Sequence, residues 1–203
     1  MAKTDLRIIR TKANITRAFL ELMDEFDYDS ITVTDICDRA MVNRKTFYTY
    51  YETKEHLHQS ISDSLLQSLK LEETAMLLTD EDRSSISMRQ LLNRIYTLVN
   101  KDRLAFKVML NEKSSARFKE LFEDEVRKWV IYILEHDGRS ENFEFPKELM
   151  VEEFVASGVV LVRWYSEQEG HNISAQQFIH YLMSLNGPVF HKAIGFEREL
   201  TEL

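Results

Sequence analysis

"TVTDICDRAMVNRKTFYTYYETKEHL", Thr32 to Leu57, packs cations, hydroxyls and aromatics into three brief helical segments. Thr32 stands three residues before Asp35, the spacing of a capping box, in which hydroxyl and carboxylate each satisfy a backbone N–H at a helix start. The helix opened there is short. It runs to about Ala40 and stops at Met41-Val42, after which Asn43 is placed to cap a second helix from Arg44 to about Tyr50. Glu52-Thr53 breaks the chain again, and Thr53 caps a longer helix with Leu57, Ile61, Leu65 and Leu69 on one face.

Two short helices around a tight turn are the parts of a helix-turn-helix, whose second helix enters the DNA major groove. On that helix Phe47 and Tyr51 face the core, while Arg44, Lys45, Tyr48 and Thr49 project elsewhere. Arginine pairs with guanine O6 and N7, threonine bonds a base edge or touches a thymine methyl, and tyrosine hydroxyls and Lys54 suit phosphates. The helix starts at Thr32 and Thr53 offer free backbone N–H groups that also favour phosphate. The same residues read equally as the solvated face of an ordinary helix. What favours nucleic acid is the coincidence of two capped helices, a cationic second helix and a basic N-terminal arm, where Lys3, Arg7, Arg10, Lys12 and Arg17 stand against Asp5 alone.

The arm belongs to a helix over about Asp5 to Phe26, with Ile8, Ile15, Phe19, Leu22 and Phe26 on one face, ending in the acidic turn DEFDYDS. Downstream, periodicity predicts helices near Ser87–Asn100, Asp102–Asn111, Ser115–Asp137, Lys147–Glu169 and Ser174–Asn186, with linkers around 136–146 and 169–174. Asn186-Gly187-Pro188 is expected to end or kink the last of them. Five glycines and two prolines in 203 residues are too few for the turns of an all-β chain, so the expected class is all-α.

Other classes fall away on composition. The 44% hydrophobic content is dispersed, with no apolar run near the roughly 20 residues a membrane span needs and no apolar signal region at the N-terminus. The expectation is a cytoplasmic protein without membrane contact. The lone cysteine, Cys37, excludes an internal disulfide and a cysteine-pair zinc site; it reads as a small buried side chain, with a redox sensor as the alternative. Six scattered histidines form no metal-binding pattern, and no nucleophile elbow or phosphate loop occurs. No enzyme activity, metal or cofactor is expected.

The stretch from Thr32 to Leu57 also resembles the DNA-binding domain of TetR-family transcription regulators of bacteria. The resemblance rests on Thr32-Val33-Thr34-Asp35-Ile36, Ala40-Met41-Val42-Asn43, Thr46-Phe47-Tyr48-Thr49-Tyr50-Tyr51 and Thr53-Lys54-Glu55-His56-Leu57, and covers about Asp5 to Ile61. It implies base or backbone contacts from Arg44, Lys45, Thr46, Tyr48, Thr49 and Tyr50, and phosphate contacts from Thr32, Thr34 and Lys54. It implies an N-terminal three-helix DNA-binding domain, residues 1–52, and a larger helical regulatory and dimerisation domain, residues 53–203. One departure is Met41, where the family usually has glycine, so the turn should be strained or differently shaped.

The resemblance further implies a homodimer formed through the last two helices as a four-helix bundle. The residues support it independently: Ala156-Ser157-Gly158 is a small-residue patch, and Val159 to Val162, Trp164 and Tyr165 carry more apolar surface than one helix flank needs. Gly158, Val159, Val162, Tyr165, Phe178, Leu182 and Leu185 are the expected interface, with burial inside one subunit as the other reading. A two-fold dimer would bind a palindromic, inverted-repeat operator in double-stranded DNA. The resemblance also implies a small-molecule inducer site in the C-terminal domain, for which Tyr96, Phe106, Met109, Phe122 and Trp129 are candidates; plain core packing explains the same residues. Repression is the family default, and a transcriptional activator or a protein-interaction module of the same fold are the alternatives.

Charge agrees with this division. Net charge is -8 overall, yet residues 1–60 hold nine cations and ten acids, so the acidity lies mostly beyond them. An acidic body carrying one cationic surface repels DNA everywhere else, and binding should be strongly salt-sensitive.

Overall fold

The computed structural model describes residues 3–69, 85–111, 114, 116–136, 146–168 and 173–193. Among these residues every regular element is helical. The order is α1 (Lys3–Glu25), a 3-10 turn (Tyr28–Ser30), α2 (Val33–Ala40), α3 (Arg44–Tyr50), α4 (Lys54–Leu69), α5 (Ser85–Lys101), α6 (Arg103–Met109), α7 (Ala116–His136), α8 (Lys147–Glu167) and α9 (Ala175–Ala193). The two expected linkers lie mostly outside the described residues. No described helix is long and apolar enough to cross a membrane.

Local chemistry starts each early helix where the sequence places it. The capping box of α2 is complete: Asp35 N–H donates to Thr32 Oγ1 at 3.2 Å, and Thr32 N–H donates to Asp35 Oδ2 at 2.8 Å. Thr46 N–H donates to Asn43 Oδ1 at 2.7 Å at the head of α3, and His56 N–H to Thr53 Oγ1 at 3.1 Å at the head of α4. These bonds satisfy donors that a helix cannot satisfy from within.

The turn between α2 and α3 is a Schellman motif. Val42 N–H reaches back to Cys37 O at 3.0 Å and Met41 N–H to Asp38 O at 3.2 Å, which places Met41 at φ 54°, ψ 43°. Met41 is 92% exposed, so its side chain contributes little packing in return for a conformation that costs a residue with a Cβ about 1–2 kcal/mol. Met41→Gly should therefore raise stability by about 1 kcal/mol, read as a higher denaturation midpoint at unchanged m-value.

Behind the turn, Phe47 and Tyr51 of the second helix and its end are buried, joined by Ile36, Cys37 and Ala40 of α2 and by Ile15, Phe19 and Leu22 of α1. Cys37 is 2% exposed, and burial raises its thiol above the ordinary value, the behaviour of a packed, unreactive side chain. Leu57, Ile61, Leu65 and Leu69 all point into the core, as their spacing requires.

α4 ties the N-terminal helices to the rest. Buried His58 lies edge-on to Phe19 at 6.4 Å and to Tyr28 at 5.3 Å, while its Nε2 shares a 3.4 Å hydrogen bond with Ser114 Oγ. Burial pulls its pKa below the ordinary histidine range, with Glu55 opposing. Lys107 of α6 also pairs with Asp24 of α1 at 2.8 Å.

The C-terminal helices place two sets of residues that the sequence singles out. α9 continues through Gly187-Pro188 to Ala193 instead of ending there. Five of the seven expected interface residues, Val159, Val162, Tyr165, Phe178 and Leu182, are buried inside the subunit. The physical reason is a polar and aromatic network that needs that face of α8: Tyr165 Oη donates to Asn100 Oδ1 at 2.8 Å, and Arg103 donates to Tyr165 O at 2.8 Å with its guanidinium over the Tyr165 ring. Tyr96 and Phe178 pack on the same ring at 5.5 and 5.3 Å. Burial and Tyr96 push the Tyr165 phenol up to about 12. The small-residue patch also serves the subunit, since Ser157 Oγ meets Asn186 Oδ1 of α9 at 3.1 Å.

Candidate nucleic-acid interface

α3 buries Phe47 and exposes Arg44, Lys45, Tyr48 and Thr49. The Tyr48 ring rests edge-on against Phe47 at 5.5 Å, which directs its hydroxyl outward from a fixed base. Thr49 Oγ1 donates to Lys45 O at 2.9 Å, leaving its methyl and an acceptor lone pair at the surface. Thr46 is half-buried with its hydroxyl donated to the Asn43 cap at 3.0 Å. Tyr50, half-buried, carries the Lys12 ammonium over its ring at 5.5 Å. Lys12, on α1, is thereby brought beside α3, a juxtaposition that spacing along the sequence does not reveal.

Two of the expected phosphate contacts are committed elsewhere. Lys54 Nζ turns inward and donates to Tyr28 O at 2.8 Å and Ile31 O at 2.9 Å, and sits over the Tyr28 ring at 4.5 Å. It closes the end of the 3-10 turn, adding a donor to the Tyr28 carbonyl, which also accepts from Ile31 N–H, and supplying one to the Ile31 carbonyl. Thr32 Oγ1 donates to Asp35 Oδ2 at 2.6 Å, so the capping box holds the proton a phosphate would need. The hydroxyl and backbone bonds from Thr32 also keep the Asp35 carboxyl below its ordinary range. Thr34 remains exposed on the first turn of α2.

Lys54→Ala follows as a stability experiment. It would leave the Ile31 carbonyl without its donor and take one of two donors from the Tyr28 carbonyl, and should lower stability by about 1–3 kcal/mol. The salt dependence of DNA binding should not change, because a residue that contacts no phosphate contributes no counterion release.

Beside the buried face of α2, Arg39 clamps Glu25 of α1 through two bonds at 2.9 and 2.7 Å. The guanidinium holds the Glu25 carboxyl below its ordinary value. This clamp, between residues 14 apart in sequence, fixes α2 on α1 and so sets the pose of α3.

The residues expected to line a ligand site are mostly core. Phe106, Met109, Phe122 and Trp129 are buried, Phe106 and Phe122 meet at 6.0 Å, and Tyr96 is half-buried with its hydroxyl on Ile173 O at 2.7 Å. Trp129 Nε1 is nevertheless a buried donor with no partner among the described residues.

The outer face of α8 and α9 has a different character. Val160, Trp164, Tyr181 and Leu185 are exposed, and they line a groove of about 430 Å³ with Leu161 and Ser184. Trp164 and Tyr181 form an edge-to-face pair at 5.9 Å. Of the expected interface residues, Leu185 lies on this face, and Gly158 is half-buried with open space where a Cβ would stand.

Comparison with known proteins agrees with this geometry. The model of the family described as bacterial regulatory proteins, tetR family, matches residues 15–61, the span holding α2, α3 and the start of α4. Over those residues the chain is similar to the TetR family. An uncharacterized HTH-type transcriptional regulator, YxbF of Bacillus subtilis, is 40% identical over 58 residues, 28% of this chain and 15% of that protein. The dhaKLM operon transcriptional activator DhaS of Lactococcus lactis is 41% identical over 49 residues, 24% of this chain and 26% of its own length. The likeness to these relatives thus takes in a minor part of each. At the level of fold, a TetR transcriptional regulator from Streptococcus agalactiae superposes with a TM-score of 0.60 at 23% identity, covering 91% of this chain and 98% of that one.

Proposed function

We propose that this chain is a TetR-family regulator that controls transcription by binding double-stranded DNA as a homodimer, with α3 in the major groove. The carrying observation is the exposed set Arg44, Lys45, Tyr48 and Thr49, held on a helix anchored by buried Phe47. Thr34 and Lys12 flank it as backbone contacts. The dimer forms through the outer face of α8 and α9, where Val160, Trp164, Tyr181 and Leu185 would be covered by their symmetry mates in a four-helix bundle. Residues 1–52 act as the DNA-binding unit and 53–203 as the regulatory unit, with α4 as the connection. Two-fold symmetry makes the operator an inverted repeat, its half-sites about 34 Å or a multiple apart.

Repression by occupying a promoter is the simplest outcome of such binding. The activator reading is favoured by one observation, the 41% identity over 49 residues to a protein named as an operon activator. A small-molecule inducer completes the proposal. Trp129 Nε1, buried without a partner among the described residues, supplies a donor for an acceptor atom on a ligand entering among Phe106, Met109, Phe122 and Tyr96. The ligand would have to favour the non-binding conformation by about 1–3 kcal/mol.

Selection from a random duplex pool tests the central claim. An inverted repeat should be enriched, and Arg44→Ala and Tyr48→Ala should each weaken binding to it by about one to two orders of magnitude, the loss of one good base contact or more. Absence of any enriched sequence at low salt would remove DNA binding by this chain alone.

A further inference from the structure

A second surface of the N-terminal helices has no part in the proposed DNA contact. Between the end of α1, the 3-10 turn and the outer face of α2 lies a notch of about 490 Å³ lined by Leu22, Phe26, Ser30, Ile31, Asp38 and Arg39, with Asp35 at its edge. Its floor is apolar, formed by buried Leu22 and Ile31, and Phe26 stands at its side with 52% of its surface in water. An aromatic ring half in water beside a preformed apolar recess is a common anchor site at protein interfaces.

Charge narrows what can occupy it. Residues 21–39 carry seven carboxylates and one cation, Arg39, and that cation is engaged by Glu25. Asp24 is answered by Lys107, and Asp35 by Thr32, but Asp38 on the rim has no cationic partner among the described residues. DNA would be repelled here, and no residue of α3 lines the notch. A chain bound to DNA through α3 would therefore still present this surface to another protein.

We propose that the notch docks a cationic segment of a partner protein, with an apolar side chain of that segment inserted beside Phe26 and an arginine or lysine on Asp38. This goes beyond the DNA-binding reading and does not depend on it. A regulator recruiting other machinery to DNA would need such a surface outside its own contact with the duplex.

The probe is a short synthetic peptide alternating arginine and leucine with one tryptophan. Two controls are a counterpart with glutamate for arginine and one with serine for leucine and tryptophan. Fluorescence anisotropy against the full chain at physiological salt should show binding of the arginine-leucine peptide alone. Phe26→Ser and Asp38→Lys should each weaken it about tenfold or more, whereas Glu123→Lys on α7 should not. Amide shifts should cluster at Leu22, Phe26, Ile31 and Asp38. Thermal melting and the circular dichroism spectrum of Phe26→Ser report that its fold is intact. Equal binding of the serine peptide would mean long-range charge attraction only and would overturn the proposal. Unchanged binding by both notch variants, or a fall in oligomer mass caused by Phe26→Ser, would also overturn it, the latter by identifying the notch as a contact between copies.

Discussion

Replacing Val160 and Trp164 together with glutamate should leave the helical fold intact and convert the chain to a monomer. Both side chains are exposed in the single subunit, at 52% and 39%, so charging them disturbs little internal packing. In the proposed dimer they lie at the centre of the α8–α9 contact, and burying two unpaired carboxylates per subunit there is strongly unfavourable. Sedimentation should show the change in mass, while the circular dichroism spectrum stays helical. Operator affinity should fall by about 10²–10⁴-fold, because two linked recognition helices gain avidity that a single one lacks. A variant that still sediments as a dimer would place the interface elsewhere.

Tyr165→Ala, one residue further along α8, should behave in the opposite way. Tyr165 is 1% exposed and holds together α5, α6, α8 and α9 through Asn100, Arg103, Tyr96 and Phe178. Truncating it removes a large buried ring and leaves the Asn100 oxygen without its donor. The expected cost is about 3–5 kcal/mol of stability. For a chain of this size that is a melting point lower by roughly 10 °C. The mass of the remaining folded protein should not change. Tyr165→Phe, which keeps the ring, should lose about 1 kcal/mol. Were Tyr165 an interface residue, its truncation would alter assembly and leave the subunit's own melting nearly untouched.

The contrast between these neighbours shows where periodicity stops being informative. The stretch from Val159 to Tyr165 is apolar nearly all round, and a pattern without a polar face has no phase to read. Expectation and structure agree that it carries surplus apolar surface. They differ on which residues face outward, because Asn100, Arg103 and Phe178 claim one side of the helix, and all three are more than ten residues away in the chain. A lysine raises the same difficulty. Lys54 beside a helix start reads as a phosphate ligand until the carbonyls of Tyr28 and Ile31 are brought to it.

The all-helical class, the capped starts of α2, α3 and α4, and the face of α3 that shows Arg44, Lys45, Tyr48 and Thr49 are legible in the sequence. Each of these rests on bonds or spacings within about five residues, which local chemistry settles before the chain is packed. That Lys54 serves the fold, that Lys12 stands beside Tyr50, and that Val160 and Trp164 rather than Val159 and Tyr165 face outward emerges only in the packed chain. Those outcomes depend on groups distant in sequence competing for the same side chain, and that competition is resolved only when the helices pack.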